Sequence, residues 1–597
     1  MSYDILSTSY INNMVSNYSY MEYENKIAPL KTRQDKYQRI SDGYSTLDGK
    51  LESLKDLLED LKETGSSSIF ANKATSTTDS KFVTATASSS AITSNYNFRI
   101  NSLARNDIAI SSDLDSDTAN AITGTHTFQI KSGDGEGGEF VSNIEVEFEA
   151  DETNETMLEK IANAINNDKG YVTSSAMDAT STFTGSGSFV IDMNGEETTI
   201  DYDYSSGATY EEVIDDLVAQ ISDDVDGVIA EKVVDGSNVS LKLKVDDNND
   251  YITIDQTTDT GSLLGSGELN LNAIKEKSAA GTVSASAFAP TTATSQLSIT
   301  AKNTGVDYRI SSLLDTGSST ALTEVGLNLG AARPDYDQAQ DPDTPGFMYS
   351  DITDANNELN ARFSMNNIDI QRSSNIISDL VNGVTFTMNA AMDTEDSDVS
   401  VTVNNDIEGS KSKIEDFVSK FNDVYKYIKN NSQNMSGYRG IFLGDSNASS
   451  LLSNFRITAY SQVDGITSGN IDDLNEIGLE FDSLSGLKIA DSNTLEKKLS
   501  ENISQVEKLF NSSNGIANQL YDAIDPYLGS DGYIESLKSS YGRNIKSIKD
   551  KITSTQTRID DSSDTLRGKY EDLQLQLMNF YSMQSMMSSL SSSGFYY

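Results

Sequence analysis

YQRISDGYSTLDGKLESLKDLLEDL, residues Tyr37–Leu61, places apolar side chains at alternating spacings of three and four. Tyr37, Ile40, Tyr44, Leu47, Leu51, Leu54, Leu58 and Leu61 fill every position of that series. Such spacing draws one continuous seam along a helix, so the stretch reads as a coiled-coil strand. Gly43 and Gly49 fall off the seam. Each costs roughly 1 kcal/mol against Ala, so the helix depends on a partner more than on its own propensity. Upstream, Tyr23 and Leu30 extend the series, but the position before Tyr37 is Arg33, and the seam weakens toward the N-terminal side. Gly65, followed by Ser66, Ser67 and Ser68, stops it.

A counterpart lies at the other end of the sequence. Ile545, Ile548, Ile552, Ile559 and Leu566 hold heptad spacing, with Thr555 and Ser562 as polar interruptions. After a four-residue stutter the series resumes at Tyr570, Leu573, Leu577 and Phe580. An antiparallel pairing of these two helices would make everything between them one long insertion; independent helices in separate bundles are the alternative. The final stretch, LMNFYSMQSMMSSLSSSGFYY, combines Met578, Met583, Met586 and Met587 with Phe580 and Tyr581 in a Ser-rich frame. Flexible thioethers suit an interface that repacks against more than one surface; a packed helix end is the other reading.

The interior has a different texture. SFVIDMNGEETTIDYDY, SNVSLKLKVDD and DYITIDQ alternate apolar and polar residues between Gly, Asn and Asp, as half-buried antiparallel strands do. A weak internal repeat is present. Strands around Thr127–Ile130 and Ile144–Phe148 lead to the helix ETMLEKIANAINN, and strands around Phe189–Ile191 and Thr199–Tyr202 lead to TYEEVIDDLVAQISD. Each helix is followed by a strand, at Tyr171–Val172 and Val228–Ala230, which gives two β-β-α-β units. Later, Ile414, Phe417, Val418, Phe421, Val424, Tyr425 and Ile428 share one helical face, and Leu495, Leu499, Ile503, Val506 and Phe510 another. Both predict core-facing bundle helices.

The expected fold class is α+β and multidomain: helical coiled-coil legs and a bundle from both chain ends, with nested antiparallel β-rich insertions. The expected divisions are terminal leg segments 1–40 and 560–597, and a helical, coiled-coil domain 41–72 with 405–559. A β-rich domain 73–115 with 286–404 and an acidic β-rich insertion 116–285 complete the set. The length of 597 residues fits about three to five domains. Hydrophobic residues make up 37%, which predicts small cores and a large surface.

The formal net charge is −47, and residues 106–285 hold 8 Lys+Arg against 37 Asp+Glu, a balance of −29. Residues 31–62 balance 7 against 7, and residues 538–571 carry 8 Lys+Arg against 5 acids. The acidic middle prefers water, while the near-neutral ends can pack against other chains. Nucleic acid and anionic membranes are poor partners for such a chain, and the sequence shows no obvious Lys/Arg cluster. No apolar run reaches the ~18 residues of a membrane span. The start has neither a basic nor an apolar signal region, which points to the cytosol or to export without a cleaved signal.

With no Cys and one His, disulfides, thiolate metal sites and paired-imidazole sites are excluded. His126 lies in a strand without a partner motif and reads as a surface or edge residue. No nucleophile elbow or phosphate loop occurs, and the carboxylates of GDGEGGEF oppose phosphate, so that stretch reads as a turn. Asp246, Asn248 and Asp250 have calcium-loop spacing, but Tyr251 and Thr257 replace the turn Gly and the bidentate Glu. Asp224, Asp226 and Gly227 likewise follow Ser222 in place of an acidic ligand. Neither cofactor nor metal is expected, and an enzyme is not the expected class.

Several stretches resemble one family, the flagellar hook-associated protein 2 family. SDSKFVTATASSSAITSNYNFRINSLARNDIAISS is similar to the family's strand pair ending in Leu103-Ala104. ARFSMNNIDIQRSSNIISDLVNGVTFTM resembles its hairpin followed by Arg372, Asn375 and Gly383-Val384-Thr385. IEDFVSKFNDVYKYI, FLGDSNASSLLSNFR and LNEIGLEFDSLSGLKIADSNTLEKKLSENISQVEKLF follow in the family's order, so the resemblance covers the chain outside about 116–285. Where the family opens with an SGLD-like start, this chain has Ser2-Tyr3-Asp4-Ile5-Leu6. The resemblance implies a cap at the distal end of the bacterial flagellar filament. That cap would promote flagellin polymerisation and prevent loss of unpolymerised flagellin. It also implies a homo-oligomeric ring, flagellin and the filament end as partners, an export chaperone, and secretion through the flagellar channel. Nucleic acid and membrane are not among the implied partners. A surface adhesin or calcium-dependent binding module, acting through the acidic insertion, is the second function class.

Overall fold

The structure is a computed structural model and describes residues 7–337, 344–434 and 439–592. The Ser2–Leu6 departure and the end of the Met-rich stretch beyond residue 592 lie outside the described residues. The chain forms two compact units, residues 1–74 with 405–597, and residues 75–404.

In the first unit, helices Thr8–Lys26 and Ala28–Lys62 are separated at Ile27, where Pro29 sits in the first turn of the second helix. A proline there lacks only an N–H that the first turn leaves unpaired, so the new helix starts without loss. The helices Ile407–Asn431, Ser446–Tyr460 and Ser492–Asn511 start at Asp406, Asp445 and Asp491, whose carboxylates accept from N–H groups of the first turn. Helices Ile516–Ile524 and Tyr533–Ser592 complete the unit.

From Tyr44 to Leu61 the seam is buried against Ile414, Phe417, Phe421, Tyr425, Leu499 and Phe510. Leu57 is buried beside Leu58, which widens the stripe beyond a two-stranded seam. A broad apolar stripe needs several neighbours, so this half of the helix is a bundle core, not one side of a coiled coil. Val418 and Ile503, on the two predicted helical faces, pack at the edge of the same core.

In the second unit, strands Val399–Asn405, Ser94–Ser102, Ala361–Met365 and Ile368–Arg372 lie side by side. A three-stranded sheet, Val83–Ala87, Val384–Met388 and Ile376–Val381, contributes to the same apolar cluster around Phe98, Phe363 and Phe386. The hairpin of ARFSMNNIDI turns at Asn366 and Asn367, both with φ of 50° to 66°. Asn tolerates that left-handed region, which a two-residue hairpin turn requires.

A seven-stranded sheet runs Glu196–Asp203, Ser186–Met193, Tyr251–Ile254, Ala273–Lys277, Glu139–Phe148, Gly124–Gly133 and Ile310–Asp315. It contains the hairpins of both sequence repeats. Helix Asn154–Asn167 packs with the first hairpin and Tyr210–Asp224 with the second. The third strand of each repeat, however, leaves its own hairpin. Tyr171–Thr173 and Val228–Asp235 pair on opposite sides of Asn238–Val245, in a separate sheet. The repeats are therefore interlocked, not two closed β-β-α-β units. The apolar cluster of the first repeat also crosses the expected 285/286 division: Phe128, Ile144 and Ile161 share a core with Leu297, Ile310 and Phe347. The cluster that stands alone is the one built from Val172 to Ala273.

Candidate functional site

The terminal helices meet in antiparallel register. Lys538 Nζ lies 3.3 Å from Asp48, the Tyr37 and Tyr541 rings lie 5.6 Å apart, the Ser19 and Ser563 hydroxyls 2.7 Å, and Arg567 donates to Asn12 at 2.5 Å. Partner numbers fall on one helix as they rise on the other. Lys538 is held more firmly protonated than usual, first by its bond to Glu535 and then by Asp48. The Tyr44 hydroxyl, bonded to Asp445, is pushed far up by burial and then by that carboxylate.

Tyr37 and Ile40 are half-buried, whereas Tyr44, Leu47, Leu51, Leu54, Leu58 and Leu61 lie in the bundle. On the C-terminal helix Ile548 and Ile559 are buried, and Ile545, Ile552, Leu566 and Leu577 half-buried. Leu573 and Phe580 are 44% and 58% exposed, so they do not share a seam with the N-terminal helix. The reason is length. Asn12 meets Arg567 near the start of the helix Thr8–Lys26, and the C-terminal helix continues to Ser592. The overhang is about 20 residues, roughly 30 Å at 1.5 Å per residue. It exposes Met578, Phe580, Met583, Met586 and Met587. Among the described residues, nothing packs these side chains into a helix end.

Two polar seam positions differ from the sequence reading. Thr555 is buried as expected, but Ser562 is exposed and Ser563 takes the inner position, bonded to Ser19. The register steps by four twice, from Thr555 to Ile559 to Ser563, which moves the stutter earlier. Arg33 is exposed as well, and Gln34 stands half-buried between Leu30 and Tyr37.

The same pairing creates a feature invisible along the sequence. Residues 26–39 and 543–551 together hold nine Lys and Arg against two acids, net +7. Each run is unremarkable alone; the antiparallel register sets them side by side. The absence of a Lys/Arg cluster, read from the sequence, is corrected here by tertiary pairing.

Elsewhere the candidate chemistry resolves into scaffolding. The Nδ1 of His126 accepts from the Thr320 N–H at 3.2 Å, and its ring packs edge-on to Phe148. GDGEGGEF is the turn between Gly124–Gly133 and Glu139–Phe148, where Asp134 accepts from the N–H groups of Glu136 and Gly138. Around Asn248, Asp247 accepts from the Asn249 N–H, Asp250 accepts from Asn194, and Lys277 donates to the Asn249 carbonyl. Among the described residues no three His, Asp or Glu side chains are grouped to hold a metal, and no helix is long and apolar enough to cross a membrane.

Two family profiles match the chain. Flagellar hook-associated protein 2 N-terminus covers residues 7–107, and flagellar hook-associated protein 2 C-terminus covers residues 359–582, together more than half of the sequence. The chain belongs to the flagellar hook-associated protein 2 family. The terminal helix pair and the bundle fall largely within the two matched segments, and the seven-stranded sheet lies mostly between them. Among relatives of this family member, flagellar hook-associated protein 2 of Salmonella typhimurium is 26% identical over 225 residues, 36% of this chain and 47% of the relative. The Campylobacter jejuni protein is 27% identical over 239 residues, 36% of each. The B-type protein of Pseudomonas aeruginosa is 22% identical over 259 residues, 42% of this chain and 51% of the relative. The chain thus spans about half or less of the curated relatives it matches. A solved structure of the Escherichia coli flagellar cap protein FliD, domains D1-D2-D3, is 17% identical, with a TM-score of 0.45 over 84% of this chain and 99% of that one.

Proposed function

We propose that this hook-associated protein 2 family member is a structural cap at the distal end of the bacterial flagellar filament. There it promotes flagellin polymerisation and prevents the loss of unpolymerised flagellin. The observation that carries the reading is the terminal helix pair, whose longer member runs past its partner and presents a row of Met and Phe to solvent. Apolar side chains on a helix overhang lose water contact only by meeting another chain, and thioethers adapt to more than one packing. The proposed partners are further copies of the chain in a ring, flagellin at the filament end, and an export chaperone. The proposed location is outside the cell at the filament tip.

The leg above the bundle is held by a thin seam with polar contacts such as Ser19–Ser563. Such a seam can shift without breaking a large core, which suits a leg that moves as each flagellin subunit enters. The acidic β-rich unit faces water and has no chemistry assigned to it.

A strain lacking the gene is expected to shed unpolymerised flagellin into the medium. The intact gene restores filaments, and a version ending at Tyr570 does not. Normal filaments in the deletion strain would contradict the reading; full restoration by the shortened chain would remove the overhang from it.

A further inference from the structure

Within a chain of net charge −47, the paired runs 26–39 and 543–551 form a basic girdle of net +7 around the leg. Of its cations, Lys26 pairs with Glu22 and Lys546 with Asp550. Arg33, Lys36, Arg39, Arg543, Lys549 and Lys551 are exposed, and none takes part in an ion pair among the described residues. Their spread is about two to three helical turns along each helix. Between Pro29, Arg33, Lys36 and Arg39 lies an open groove of about 660 Å³, with Tyr37 and one carboxylate, Asp35, in its wall.

Like charges held this close repel one another, and within the two runs only Asp35 and Asp550 offset them. In the proposed closed ring, rotation sets every girdle at one height, so neighbouring legs also present like charge. A counter-charged surface from a different chain relieves both repulsions at once. We infer that the girdle is a docking surface for an acidic protein face on the filament subunits that the legs contact. The inference rests on the cap reading and names the chemistry of its contact: the overhang supplies apolar anchorage, and the girdle supplies orientation and association rate.

The test uses the full-length chain with Lys36→Glu, Arg39→Glu, Arg543→Glu and Lys549→Glu, and a second variant with Gln at the same four positions. All four side chains are exposed, and melting temperature checks folding of each variant. Binding to sheared filaments from the source bacterium is measured by co-sedimentation, and the oligomeric state by sedimentation velocity. Wild-type binding should weaken about ten-fold between roughly 50 mM and 500 mM salt. At low salt the Glu variant should bind about ten-fold or more weakly and the Gln variant should fall between, both keeping the wild-type oligomeric state. Unchanged filament binding by a folded Glu variant overturns the inference and leaves the cap reading standing. Loss of the oligomer assigns the girdle to contacts between copies instead. Variant-sensitive binding of the wild type to vesicles of phosphatidylcholine and phosphatidylglycerol assigns it to lipid. Failure of the wild-type chain to bind filaments at all removes the cap reading itself.

Discussion

Glu276 joins two parts of the β-rich unit. Strand Ala273–Lys277 meets Glu139–Phe148 in parallel at Glu276 and Val141, and the Glu276 carboxylate accepts from the backbone N–H and the side-chain amide of Asn143, each at 2.8 Å. Burial pushes Glu276 well above the usual carboxylate range, with nearby Asp168 adding to the rise. Asp168 is pushed up to about 6 by burial, against its bond from the Ala279 N–H. Glu145, Tyr171 and Lys242 are the other titratable groups around this pair. Both carboxyls bind protons more tightly folded than unfolded. Their contribution is therefore complete below the unfolded values and is lost as pH rises through the folded ones. For Asp168 that window runs from about 4 to about 6, and its size is on the order of 2–3 kcal/mol. The wild-type melting temperature should fall between pH 5 and pH 7, and Glu276→Gln should flatten that fall. A melting temperature that rises over this interval, or an identical slope in the variant, would refute the assignment. Nothing in the sequence marks Glu276, since its burial follows from strand order and not from its neighbours in the chain.

At the scale of elements, periodicity exposed the helices and strands but not their partners. The alternation in SFVIDMNGEETTIDYDY becomes the hairpin Ser186–Asp203, because Asn194 and Gly195 accept the positive φ of a tight turn. The strand Val228–Asp235 was equally visible, yet its place beside Asn238–Val245 depends on a long-range choice that alternation leaves open. The seam shows the same limit. Thr555 was placed correctly, whereas Ser562 and Arg33 were each one residue away from the inward position, because a strict heptad count drifts against 3.6 residues per turn. Thr555→Ile should raise the stability of the helical unit by about 1 kcal/mol through added apolar burial. Ser562→Ile should change it by less than about 0.5 kcal/mol. Chemical denaturation followed by circular dichroism measures both, and equal effects would contradict the register.

Over the whole molecule, charge separates two roles. Residues 106–285 carry −29 of the −47, while the helix pair carries a local +7 that only folding assembles. Family membership was legible from the order of motifs at the two ends, and the matched segments, 7–107 and 359–582, are those ends. The basic girdle was not legible, because its two runs are some five hundred residues apart in sequence. In the proposed cap, assembly belongs to the helical ends and the acidic unit stays in water. The most direct test of that cap is to add the full-length chain, gold-labelled on the acidic unit, to filaments from the deletion strain and to view them by electron microscopy. A cap anchored by its overhang puts label at one end of each filament, the distal one, and loses it when the overhang is removed. Label along the shaft, or none with the wild-type chain, would contradict it.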